Sequence, residues 1–120
     1  MKPYLRAELA YIAGRLISKN SATSLYDYDE GKFIMFSGDV SPNSVNVYDY
    51  ERGVFVSGNR SGSEFNLYHY GDGHFITLTV KGENFNGYDF GSSSFFEGSA
   101  RLNSITLYDF QEGRFYQYSM

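Results

Sequence analysis

The residues of this chain best suited to chemistry form a series. Asp27, Asp49, Asp89 and Asp109 each follow a tyrosine, and His69 holds the same place after Tyr68. Four carboxylates and an imidazole are the groups from which metal sites and acid-base pairs are built. Their spacing argues against both. The positions recur every 20 to 22 residues, and if each unit is a β-hairpin, neighbouring members lie two strands apart, at about 9.5 Å. Metal-bound oxygens sit within about 2.6 Å of the ion. A separation near the ~8 Å screening length also leaves only modest repulsion along the row. The expectation is a ladder of carboxylates bonded to turn backbone or tyrosine hydroxyls.

His69 and His74, the only histidines, flank one turn and are expected to be near neighbours. No HExxH-like spacing or evident third ligand accompanies them, so they read as surface or sheet-packing residues. Cysteine is absent, which removes thiolate ligands, disulfides and cysteine nucleophiles. No nucleophile-base set and no phosphate loop is present. The sequence therefore predicts a protein that is not an enzyme and needs no metal or cofactor.

The elements that position these groups are repeats. Leu25-Tyr26-Asp27-Tyr28 through Phe33 recurs around Tyr48, Tyr68, Tyr88 and Tyr108, each with a phenylalanine seven residues on: Phe55, Phe75, Phe95 and Phe115. Ser44 to Tyr50 alternates apolar and polar residues and is rich in β-branched and aromatic side chains, the pattern of a strand. Gly31, Gly53, Gly73 and Gly113 precede the second strand of four units, as a tight hairpin turn requires. The fourth unit has Ser92-Ser93-Ser94 there, predicting a looser turn or another turn type. Both faces of the first strands carry apolar residues, which predicts that both are covered to some extent.

Pro3 to Lys19 reads as an amphipathic helix with a stripe of Leu5, Leu9, Ile12 and Leu16, ending near Asn20. Gly14 in its interior predicts close approach of another element. Arg6, Glu8 and Arg15 interrupt any apolar run of signal-peptide type.

The fold expected is a single domain over residues 1–120. It is mainly β with one N-terminal α-helix (residues 1–20) and five tandem hairpins of about 20 residues (residues 21–120). They would form a curled antiparallel meander, with a closed ten-stranded barrel or a hairpin solenoid as alternatives. The helix lies along the aliphatic face, against Val47, Leu67 and Leu107.

The unit Tyr28-Asp29-Glu30-Gly31-Lys32-Phe33 resembles the tyrosine-aspartate repeats of Rhs-type toxins and teneurins. In this chain one spacer residue of their pattern is missing. Choline-binding repeats are similar aromatic hairpins, but their tryptophans are absent here. Both resemblances imply architecture only.

A net charge of −4 and scattered basic residues argue against nucleic acid or a membrane as partner. The 12 tyrosines and 11 phenylalanines must be packed, stacked or offered to a partner. The leading expectation is a cytoplasmic binding or assembly protein that uses Tyr48, Tyr68 and Tyr108 for self-association or a protein partner. The alternative is a pocket for a glycan or small apolar ligand in the fourth unit, where Gly87 and Gly98 leave space beside Asn86, Tyr88, Asp89, Phe90 and Phe95. An uncovered aromatic face with Asn46, Asn66 and Asn86 would also suit a carbohydrate.

Overall fold

A computed structural model describes all 120 residues. Helix α1 (Pro3–Ser18) is followed by ten strands: β1 (Ser24–Asp27), β2 (Lys32–Val40), β3 (Ser44–Asp49), β4 (Val54–Ser61), β5 (Glu64–His69), β6 (His74–Lys81), β7 (Asn84–Asp89), β8 (Ser94–Arg101), β9 (Ser104–Asp109) and β10 (Arg114–Ser119). Each strand pairs antiparallel with its neighbours in sequence, and β10 pairs with β1, closing the meander into a barrel. The closing seam is short: only Tyr26↔Ser119 and Asp27↔Tyr118 are in register.

The hairpin turns follow from the residues at their tips. Gly31, Gly53, Gly73 and Gly113 take φ between 67° and 71°, and Ser93 takes the same left-handed conformation at 54° in the fourth unit. The serine turn therefore keeps the common geometry at some steric cost, since only glycine adopts it freely.

Alternation along each strand sends Leu25, Ile34, Val47, Val56, Leu67, Ile76, Phe96 and Leu107 into the lumen, where all are buried. Helix α1 occupies that lumen. Every residue from Leu5 to Gly14 is buried, and the helix touches β1, β2, β3, β6, β8 and β9. The expected placement on the aliphatic face is correct, but the amphipathic reading needs correction: closure wraps that face around the helix and buries all its sides. Pro3 opens the helix, and Lys19, in the left-handed conformation, closes it one residue before Asn20. A Cβ on Gly14 would stand 2.9 Å from Met120 Cε and 3.1 Å from the Ile105 side chain, which accounts for the helix-interior glycine.

The junctions between hairpins obey a second rule. Gly38 faces Val47, Gly58 faces Leu67, Leu78 faces Gly87 and Gly98 faces Leu107. A Cβ on any of these glycines would lie 1.9 to 2.0 Å from a carbonyl oxygen of the facing strand. Each junction thus tolerates one side chain of the pair. At the third junction the glycine sits on the incoming strand instead of the outgoing one.

Candidate functional site

Two surfaces carry functional groups: the polar end of the lumen and the outside of the barrel. At the polar end, the aspartate series caps its own turns. Asp27 Oδ1 accepts the Asp29 and Glu30 backbone N–H groups, Asp49 Oδ1 those of Glu51 and Arg52, and Asp109 Oδ1 those of Gln111 and Glu112. Asp89 accepts from Gly91 and Ser92. His69 does the same with Nδ1, which accepts the Asp72 N–H at 2.9 Å. The ladder bonded to turn backbone is present as expected, because a short polar side chain before a turn satisfies donors that no strand partner reaches.

The lumen adds partners from the helix. With Nδ1 accepting, His69 carries its proton on Nε2 and donates to Glu8 Oε1 at 2.8 Å. Both side chains are fully buried. Burial, reinforced by the nearby Asp49 and Asp72 carboxylates, pushes the Glu8 carboxyl up to about 10. Glu8 is therefore protonated at neutral pH, and its Oε2 has no hydrogen-bond acceptor within bonding distance in this conformation. Burial also lowers the His69 pKa, so the imidazole is neutral. Asp109 receives Arg6 Nη1 and the Met1 amino group, each at 3.1 Å. Burial works to raise this carboxyl, but the ammonium, the Glu112 N–H and Arg6 hold it below the ordinary range. Arg6 also stacks on Tyr116, with its guanidinium 3.7 Å from the ring centre.

His69 and His74 are neighbours, with ring centres 5.8 Å apart. Asp72 lies 3.6 Å from His74 Nε2 and accepts the Tyr4 hydroxyl at 2.5 Å. No three His, Asp or Glu side chains converge in a way that could hold a metal ion. The arrangement is a hydrogen-bonded seat for the helix.

The outside of the barrel differs from expectation. No element covers it, so the reading that both sheet faces are covered is corrected. Each hairpin displays a triad in which the first tyrosine meets two further rings edge-on or tilted: Tyr26 with Tyr28 and Phe33, Tyr48 with Tyr50 and Phe55, Tyr68 with Tyr70 and Phe75, Tyr88 with Phe90 and Phe95, Tyr108 with Phe110 and Phe115. Centroids are 4.7 to 5.0 Å apart, the geometry favoured by the ring quadrupole. The ten companion rings are 45% to 68% exposed.

The triads join into a belt. Tyr48 pairs with Phe55, and Tyr70 donates its backbone N–H to Phe55 O, so three rings stand on adjacent strands. Tyr68, Phe75 and Phe90 repeat this, as do Tyr88, Phe95 and Phe110. Gln117 interrupts the belt at the seam, where its carbonyl receives the Tyr28 N–H, and Met35 stands beside Tyr50. Tyr48, Tyr68 and Tyr108 thus belong to one surface, each half-buried beneath its companions.

The fourth-unit residues are split. Asn86, Tyr88, Phe90 and Phe95 face outward, whereas Asp89 is buried in the lumen capping its turn. Space beside Gly87 and Gly98 is filled: Cβ atoms built there would meet the Phe96 and Phe85 rings at 2.5 and 2.6 Å. The missing aliphatic volume has moved to those phenylalanines, and no pocket forms between the glycines.

Shallow grooves lie on the outer face below the belt, one of them over Asn86 and Gly98. Asn46, Ser57, Asn59 and Asn66 line one beside Tyr68, Tyr70 and Phe75. Asn86, Glu97, Ser99 and Thr106 line its equivalent beside Phe115, two units on. The sequence reading missed Glu8 and the lumen network. Its signals were a single acidic residue in the helix and a single histidine in the aspartate series.

No helix is long and apolar enough to cross a membrane. Compared with protein-family models, curated proteins and solved structures, the chain matches none.

Proposed function

We propose that the chain is a non-catalytic binding and assembly module whose working surface is the outer aromatic belt, engaging a second copy or a protein partner. The supporting observation is the run of exposed rings across adjacent strands. Contiguous apolar surface of this kind is rare on a monomer and common at interfaces, where aromatic residues are enriched. Charged turn tips such as Glu30, Glu51 and Arg52 border the belt and supply a polar rim.

Light scattering tests this on the native chain and on Tyr50→Ser/Tyr70→Ser/Phe90→Ser. Each ring removed forfeits an aromatic contact worth about 0.5–1.5 kcal/mol, on the outside of an intact core. The expected result is a native multimer of the 13.7 kDa chain and a variant that is monomeric with unchanged circular dichroism. A native chain that stays monomeric at high concentration removes the self-association arm.

The paired grooves favour a second reading, a glycan-binding module. Neutral amides and hydroxyls beside exposed rings offer both hydrogen bonds for sugar hydroxyls and a stacking face for their C–H surfaces. Asn46 and Asn66 both line the groove and are exposed. Saturation-transfer NMR on hits from a glycan array is expected to lose signal in Asn46→Ala/Asn66→Ala. An empty array removes this reading and leaves the first untouched.

A further inference from the structure

At the end of the barrel opposite the polar cluster, beside the C-terminus of the helix, lies a cleft of about 470 Å³. Its apolar wall consists of Leu16 on the helix, Val40 at the end of β2, Phe65 on β5 and Val80 on β6. Phe65 is buried and the others are partly buried, packed against the core. Three cations surround this wall: Arg15, Lys19 and Arg60. No carboxylate lines it.

The charge pattern is unusual for a chain of net charge −4. Arg6, Lys32, Arg52, Arg101 and Arg114 each have a carboxylate partner. Of the five that have none, Lys2, Arg15, Lys19, Arg60 and Lys81, three share this one cleft. Cations near a helix C-terminus ordinarily complement its dipole, and Arg15 is also held locally, donating Nε to Asn20 O and Nη1 to the Tyr11 hydroxyl, each at 2.7 Å. That account does not extend to Arg60. It arrives from β4 and is tied only to Asn43 Oδ1 at 2.9 Å, which leaves other guanidinium donors free.

We propose that this cleft binds a small amphipathic anion, a carboxylate carrying an unbranched or aromatic apolar body. The apolar body lies on Leu16, Val40, Phe65 and Val80, and the carboxylate meets Arg60 and Lys19 at the rim. A cleft of this size falls within the range of small-ligand sites, which pair an apolar lining with a few placed polar groups. A guanidinium suits a carboxylate because its fork matches both oxygens. Arg60 also lines the groove beside Tyr68, Tyr70 and Phe75, but the apolar wall of the cleft shares no residue with that groove.

The test uses decanoate and decyltrimethylammonium, which share a tail and differ in head-group charge. Titrated into the ¹⁵N-labelled full chain, decanoate is expected to shift the Val40, Phe65 and Val80 amides and to saturate in the micromolar range. Decyltrimethylammonium is expected to bind at least tenfold more weakly. Lys19→Glu/Arg60→Glu changes two exposed residues and should weaken decanoate at least tenfold and invert the preference, with circular dichroism unchanged. The comparison of the two amphiphiles in the native chain needs no variant and stands even if the variant misfolds. Equal affinity for both head groups, shifts confined to the belt rings, or no saturation below 1 mM overturns the proposal.

Discussion

Replacing Glu8 by glutamine is expected to stabilise the protein by about 2–4 kcal/mol at pH 8. Glu8 is fully buried, with its pKa raised from 4.5 to about 10. Between those values the unfolded chain carries an ionised Glu8 and the folded chain a protonated one. Folding therefore takes up a proton, and stability falls as pH rises, by up to about 1.4 kcal/mol per unit. His69 acts in the opposite sense. Its pKa is lowered from 6.5 by burial, so below about that pH the unfolded chain binds a proton that the folded chain refuses. The two slopes oppose one another on the acid side, and above 6.5 the Glu8 slope remains.

Urea unfolding should thus show the native chain losing about 2–3 kcal/mol between pH 6.5 and 8.5. Glu8→Gln should be nearly flat over the same interval. The amide keeps the shape and accepts the His69 Nε2 proton. A native chain whose stability does not change across this interval would show that Glu8 is not held protonated.

The second large effect concerns Gly87, where restoring the residue type of the other repeats should do harm. Val47, Leu67 and Leu107 stand at equivalent positions, yet Gly87→Leu is expected to cost about 3–5 kcal/mol. Its Cβ would lie 1.9 Å from Thr77 O, and the Phe96 ring occupies the volume beyond. The remedy follows from the junction rule. Leu78→Gly returns the glycine to the outgoing strand, as at Gly58 and Gly98, and Phe96→Ile removes the intruding ring in the manner of Ile76 opposite Leu67. The triple variant should recover more than half of the loss in chemical denaturation. If Gly87→Leu is harmless alone, or if the triple variant is worse than the single one, the glycine has another cause.

Much of this architecture is legible in the sequence because repetition states the same strand and turn five times over. Tyrosine, aspartate and glycine at fixed offsets identify hairpins, and the alternation assigns Val47 and Tyr48 to opposite faces. Closure is not legible. It depends on a β1–β10 seam of two paired residues, Tyr26 and Asp27, and no local pattern announces contact between positions so distant in the chain. The helix was misjudged for the same reason: Arg6 and Glu8 look like a solvated face until Asp109 and His69 are brought around to meet them. In the fourth unit, Gly87 and Gly98 read as empty space because cross-strand register, which places Phe96 and Phe85 over them, is invisible one strand at a time.

The helix in the lumen also fixes how many repeats this protein can have. An eight-stranded barrel has an interior that side chains alone can fill, and an α-helix with its side chains is about 10–12 Å across. One hairpin fewer would leave no passage for Leu9, Tyr11 and Ile12. One hairpin more would open a void along the helix that Ala7, Ala10 and Ala13 are too small to fill. Open repeat arrays lengthen and shorten by whole units because each unit contacts only its neighbours. Here the helix touches strands from all five hairpins, so it acts as a gauge against which the repeats are counted, and duplication of a unit becomes a change to the core.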